Sequence, residues 1–422
     1  MNPSLVPSRL GPLWAIAWVL CIPPALSLAV ADGTNQQAER DADLREGPGA
    51  YYGVVGRVMR GTHVTVTESK GSWRSTHAPL CAGWAPASAF DKPRAGLDYL
   101  GLADGEGGLV ISSADVTAAT KGALSARLAE RQRVDLAAGD VLDTLVADAA
   151  MVRRIEAELS GRPGSEVLGL MPKADFRNSM ILLGEAESVL GRALAVSLLT
   201  NGIVRDAKLL GYVNAVAAVV GEKTERYEMP YRVAVIEDAG VNGFGLPGGY
   251  IVITRGLLGQ VRDEAELACV LGHEMAHISR YHGLREYQKR EVHRRADKIF
   301  GELDRATNRV DADRKVEDEL GAVMDESWLK IMGGRARADE LEADVFGAAY
   351  AAAAGYDPSA AVSLLERLQS QFAEADIYRH HPPASQRIAE MKRAIAKYRL
   401  TRSGQKRPTE RLGLLTAGSD GP

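Results

Sequence analysis

Two histidines four residues apart, with a glutamate directly after the first, are the residues of this chain best suited to chemistry: His273-Glu274-Met275-Ala276-His277. On an α-helix, positions i and i+4 share a face with their Cβ atoms about 6 Å apart. Both imidazoles can therefore reach one Zn²⁺ ion. Glu274 is turned toward the side that a water on such a metal would occupy, where a carboxylate serves as general base for hydrolysis. The surrounding residues are apolar, and unpaired imidazoles would be costly to bury among them. The motif demands a third ligand downstream. Glu340-Leu341-Glu342-Ala343-Asp344 opens an alanine-rich helical stretch that ends at Gly355. Glu340 and Asp344 share a face by the same spacing argument. Glu340 can complete a His₂Glu site with a fourth position left for water. Asp344 can accept a hydrogen bond from the free ring nitrogen of a ligand histidine.

The elements that must position these groups are legible around them. Asp263 with Glu266 predicts a helix start, because acidic side chains complement the positive end of the helix dipole. Leu267, Val270, Leu271 and Ile278 form an apolar stripe, and Gly283 is the expected stop. His282 and His293 have no metal geometry in this pattern and are expected on helix surfaces. Upstream, Tyr231 to Ile236 and Tyr250 to Thr254 read as strands flanking a glycine-rich turn. The run Gly249, Tyr250, Ile251, Val252 and Ile253 is expected to be an edge strand that pairs with a substrate backbone. From Ala193 to Val220 the chain is apolar, but Arg205, Asp206 and Lys208 interrupt it, which predicts packed helices and not a membrane span. Between Arg285 and Leu320 lie ten basic and ten acidic residues. This mixed-charge insert reads as a solvated face, or as a lid over the zinc cleft, given its place between the two ligand-bearing segments.

These motifs resemble the zinc peptidase family that includes the CAAX prenyl endopeptidases, HtpX and BepA. Four segments match in the family's order: NGFGLPGGYIVITRGLL from Asn242, then GHEMAH, then ELEAD, then HPP at His381. The resemblance runs from about Glu185 to Tyr398. It implies a gluzincin fold, one Zn²⁺ per chain, His273, His277 and Glu340 as ligands, and Glu274 as general base and acid. It also implies that His381 lies near the metal, binding it or steadying the oxyanion, with the neighbouring His380 as the alternative. Gly243 and Gly245 stand where the family often has alanine, a departure expected to loosen the turn.

The N-terminal third has a different texture. Residues 1–31 read as a signal peptide: Arg9, an apolar run from Leu10 to Ile22, then Ala29-Val30-Ala31 as the cleavage pattern. Residues 32–43 are polar and read as a loose leader. Short β-rich runs follow, at Tyr51 to Met59, Val64 to Thr67 and Trp84 to Phe90, with Gly61 and Gly71 at turns. The string LREGPGAYYGVVGRVMRGTHVTVTESKGSW with GWAPASAF resembles the bacterial SH3-like domain. Trp73 and Trp84 then either line a groove for a peptide or cell-wall strand or fill a small core. Residues 93–120 read as a linker, and Gly122 to Leu159 as one or two amphipathic helices.

Composition bounds the rest. The chain has 422 residues, 46% hydrophobic and 25% charged, with a formal charge of −4, so a real core is available and no electrostatic case exists for nucleic acid. Three cysteines exclude a disulfide scaffold. Cys269 falls in the apolar helix and reads as a small buried thiol.

The expected class is α+β: a predominantly helical gluzincin-type metallopeptidase domain with a small sheet, preceded by a small all-β SH3-like barrel. The expected boundaries are 1–31 signal peptide, 40–92 SH3-like domain, 93–180 linker and helices, 181–398 peptidase, and 399–422 flexible tail. The basic residues after Lys392 allow peripheral membrane contact. The expected activity is an exported, periplasmic or secreted zinc endopeptidase acting on unfolded or misassembled envelope polypeptides. The rival expectations are a peptidase of peptidoglycan cross-links guided by the SH3-like module, and a non-catalytic chaperone or adaptor on a zinc-peptidase fold.

Overall fold

The computed structural model describes residues 33–91, 136–162, 164–172, 184–199, 202–283, 336–371 and 382–416. The signal-peptide region, the whole 93–120 linker, the mixed-charge insert, and His293, His380 and His381 lie outside them. The chain divides into two compact units, one drawn from residues 1–46 and 54–92 and the other from the remainder.

The first unit is a six-stranded antiparallel sheet: β1 Thr34–Gln37, β2 Ala42–Arg45, β3 Val54–Val58, β4 His63–Lys70, β5 Trp73–His77 and β6 Ala82–Pro86, in the order β1-β4-β5-β6-β2-β3. Val64 and Val66 alternate inward along β4 and pack with Leu44, Val58 and Ala85, the period of two that one buried face requires. Gly61 and Gly71 have φ of +85° and +57° at the two expected turns. The loose leader is a correction: Thr34–Gln37 pairs with β4 in register. Its four polar residues carry no apolar alternation; the backbone ladder holds them, with Gln37 donating to the Gly61 carbonyl and Asn35 accepting from the Thr65 hydroxyl. Trp73 is fully buried, whereas Trp84 is half-buried.

The second unit is built on three strands, β7 Arg232–Ile236, β8 Gly243–Leu246 and β9 Tyr250–Thr254, in the order β7-β9-β8. β9 runs parallel to β7 and antiparallel to β8. All five β9 residues are buried, which corrects the expectation of an edge strand there. A central strand has both backbone edges paired and cannot add a substrate strand. The outer edge of β7 is met by Asn214, whose amide donates to the Val233 carbonyl (2.9 Å) and accepts from its N–H (2.8 Å).

The helices supply most of the core. They are α1 Leu136–Thr144, α2 Ala149–Glu158, α3 Gly164–Leu168, α4 Gly184–Leu198, α5 Ala207–Gly221, α6 Arg255–Leu258, α7 Glu264–Ser279, α8 Arg337–Ala354, α9 Ser359–Gln371, α10 Ala384–Lys397 and α11 Gly413–Thr416. Among the described residues, no helix is long and apolar enough to cross a membrane. Leu142, Val152, Ile155 and Val167 belong to the same hydrophobic core as β9 and α7, so these N-terminal helices are part of the peptidase-bearing unit. The flexible tail expected from residue 399 is also corrected. Leu400 and Leu415 are buried, and the buried Arg411 donates to both Glu264 oxygens at 2.6 and 2.8 Å. A buried carboxylate is tolerated only with such partners, and Tyr212 and Tyr356 complete the set at 2.8 Å each.

Candidate metal centre

Helix α7 begins where expected. The Asp263 carboxylate caps the helix by accepting from Glu266 N–H at 2.9 Å, and the Glu266 carboxylate accepts from the N–H of the preceding Arg262 at 2.9 Å, so two backbone donors at the helix start are satisfied by side chains. It ends at Ser279, four residues before the expected stop. Tyr281 turns the chain with φ of +56°.

Helix α8 lies directly against α7 through two glycines. A Cβ on Gly272 would sit 2.7 Å from the Gly347 carbonyl oxygen, and one on Gly347 would sit 2.5 Å from the His273 nitrogen. Backbones this close leave no room for any side chain between them. The contact brings Glu340, at the start of α8, to the histidines of α7.

There the expected donors meet. His273 Nε2 lies 3.1 Å from His277 Nε2 and 3.7 Å from Glu340 Oε2, and His277 Nε2 lies 3.4 Å from Glu340 Oε1. Ligands at 2.0–2.1 Å from a tetrahedral zinc are separated from one another by about 3.3 Å. The triangle therefore has the size of one face of a zinc site. Its chemistry fits as well. His273 Nδ1 is 3.0 Å from Asp344 Oδ1, so the ring proton is held on Nδ1 and the Nε2 lone pair faces the triangle.

Asp344 is fixed in turn by a residue without a signal in the motifs. Arg387 on α10 donates to both its oxygens, at 2.8 and 2.7 Å. Burial opposes the charged carboxyl, but Arg387 and His273 hold it well below the usual carboxylate range. Arg387 lies beyond the HPP segment with no helical spacing to relate it to α8.

His282 also departs from its expected place. It is buried, not on a helix surface, and its Nδ1 lies 2.9 Å from His277 Nδ1. The Tyr281 turn folds it back onto the helix that it follows. Glu274 is buried on α7 with β8 alongside. A Cβ on Gly245 would lie 2.4 Å from the Glu274 carbonyl oxygen, and one on Gly243 would lie 2.8 Å from its Oε1. These glycines do not loosen the segment: β8 pairs with β9 through all four residues. A cavity of about 100 Å³ opens beside His273 and Glu274, walled by Val241, Leu257, Leu365 and Met391.

Comparison with known proteins agrees with this geometry. Residues 205–395 match the model of Peptidase family M48. The mitochondrial metalloendopeptidase OMA1 of Arabidopsis thaliana is 31% identical over 183 residues, 42% of this chain and 35% of that protein. OMA1 of Schizosaccharomyces pombe is 28% identical over 183 residues, 42% of this chain and 50% of its own. The beta-barrel assembly-enhancing protease of Escherichia coli K12 is 24% identical over 194 residues, 44% of this chain and 39% of that protein. The chain thus matches half or less of the length of each of these relatives. Residues 205–395, somewhat less than half of this chain, are thus similar to Peptidase family M48, a family of zinc-dependent metalloproteases, and they hold in His273, His277 and Glu340 a cluster that could bind such an ion.

Proposed function

We propose that the chain is a zinc-dependent endopeptidase whose metal is held by His273, His277 and Glu340. The observation that carries the reading is the convergence of these three donors beside Glu274 within the region similar to family M48. A zinc ion held there would polarise the substrate carbonyl as a Lewis acid and make the attacking water more acidic. Glu274 takes a proton from the attacking water and later delivers it to the leaving amine nitrogen as the C–N bond breaks. Asp344 and Arg387 keep the His273 ring in the tautomer that leaves Nε2 free. His381 serves as the oxyanion partner implied by the family resemblance, with His380 as the alternative.

The substrate backbone is laid along β8, the edge strand of this three-stranded sheet that lies against Glu274. Pairing through backbone groups reads no side-chain identity, which suits an enzyme of unfolded polypeptides. The apolar cavity beside Glu274 receives a side chain of that polypeptide. The signal peptide expected at residues 1–31, and beta-barrel assembly in the name of the Escherichia coli relative, motivate misassembled envelope proteins as the proposed substrate class. The N-terminal sheet is proposed to be an SH3-like module that presents the half-buried Trp84 to a peptide or cell-wall ligand.

Digestion of unfolded casein and of purified sacculi, before and after zinc removal with a chelator, tests the reading. Zinc-restorable cleavage of casein is expected. Release of cross-link peptides from sacculi with intact casein would assign a cell-wall peptidase instead, and no cleavage of either would favour the adaptor.

A further inference from the structure

We propose that His282 and Glu342 form a positioning relay that sets the tautomer and orientation of the zinc ligand His277. The proposal rests on the zinc reading given above. It begins in the backbone. His282 N–H donates to the His277 carbonyl at 3.0 Å and Tyr281 N–H donates to the Ile278 carbonyl at 3.1 Å. This is the Schellman pattern that closes many helices, and its left-handed position is usually glycine. Here Tyr281 occupies it, with φ of +56°. In this motif the residue after the left-handed one commonly makes an apolar contact with the last turn. In this chain the two residues in that relationship are imidazoles. Their rings meet edge to face, 4.9 Å between centroids, with Nδ1 atoms 2.9 Å apart.

Proton bookkeeping then gives one arrangement. A neutral imidazole carries one N–H and one lone pair. If His277 turns the Nε2 lone pair toward the metal, its proton is on Nδ1 and is donated to His282 Nδ1. His282 must then carry its own proton on Nε2, which lies 3.1 Å from Glu342 Oε2. The other Glu342 oxygen accepts from Arg280 Nε at 2.7 Å and also from its terminal nitrogen. Arg280 is buried over the Phe346 ring, 3.8 Å from its centroid, and reaches Glu225 at 3.1 Å. Each proton from His277 to Glu342 has one donor and one acceptor.

The same bookkeeping decides the fate of a second cluster. His282, Asp339 and Glu342 are close enough to hold a cation, with His282 Nε2 at 3.9 Å from Asp339 and 3.1 Å from Glu342. A metal on His282 Nε2 would move that ring's proton to Nδ1, where it would face the His277 Nδ1 proton at hydrogen-bond distance. Occupation of that cluster and of the His277 site exclude one another, so the cluster is a hydrogen-bond relay and not a second metal site. Helix α8 thereby supplies the ligand Glu340 and both carboxylates behind the histidines: Asp344 directly to His273, and Glu342 through His282 to His277.

The test uses the full chain loaded with zinc. Ring ¹⁵N spectra of the histidines should show His282 protonated on Nε2 and bare on Nδ1. Zinc affinity, measured by chelator competition, should fall about 10–100-fold in His282→Leu. In His282→Asn, whose amide oxygen replaces the Nδ1 acceptor, most of the affinity should return. A His282 proton found on Nδ1 in wild type would overturn the relay, as would a folded His282→Leu that binds zinc as tightly as wild type. If His282→Leu does not fold, the wild-type ring spectrum decides alone. Failure of wild type to bind one zinc would sink the underlying metal reading as well, which separates the two failures.

Discussion

Gly272 and Gly347 touch backbone to backbone, and that contact sets the distance between the helix carrying two histidines and the helix carrying Glu340. A methyl group on Gly347 would come 2.5 Å from the His273 nitrogen. Gly347→Ala should therefore force the helices apart, costing about 1–3 kcal/mol and weakening zinc binding. Gly211, in the interior of α5, has nothing within 4 Å of its Cβ site. Gly211→Ala should stabilise by about 0.5–1 kcal/mol and leave the metal untouched. Guanidinium titrations of both variants, with zinc competition, check the opposite signs.

Arg387 neutralises the buried Asp344 behind His273. Arg387→Met should leave that carboxylate without its cation, at a cost of about 3–5 kcal/mol, and should lower zinc affinity. Arg387→Lys should not restore wild-type behaviour, because one ammonium cannot reproduce the two-nitrogen contact to both oxygens. Thermal unfolding of apo and zinc-loaded protein distinguishes the loss of fold stability from the loss of metal.

Cys269 is a buried thiol whose pKa burial pushes up to about 12, from 9.0 for the free side chain. The folded chain therefore keeps a proton that the unfolded chain gives up. Stability from this source is complete below about pH 9 and is lost as pH rises toward 12, by about 4 kcal/mol in all. Denaturant midpoints measured between pH 8 and 11 should fall less steeply in Cys269→Ala than in wild type. In the native state at pH 8, Cys269 should resist alkylation, since the thiolate is the nucleophile.

What could be read in advance was local. His273 with His277, and Glu340 with Asp344, are spaced by one helical turn, and helix geometry alone puts each pair on one face. The Asp263 cap is equally local. Arg387 and Glu342 carried no such signal: one joins the site from a third helix, and the other lies two residues from Glu340, off the face that Glu340 shares with Asp344. His282 was misplaced because its position depends on the Tyr281 turn, at a residue type that rarely adopts positive φ. The order β7-β9-β8 puts the last strand in sequence at the centre of the sheet. An apolar run alone cannot separate a central strand from an edge. Residues 399–416 look solvated in sequence because their arginines are charged, yet Arg411 is drawn inward by Glu264.

A zinc centre at His273, His277 and Glu340, with Glu274 as its proton carrier, is tested by metal content and casein hydrolysis measured together on wild type and Glu274→Gln. One zinc per chain is expected in both proteins, with a fall in turnover of at least about 100-fold in the variant. Zinc-free wild type, or a Glu274→Gln variant that cleaves casein at the wild-type rate, would contradict it.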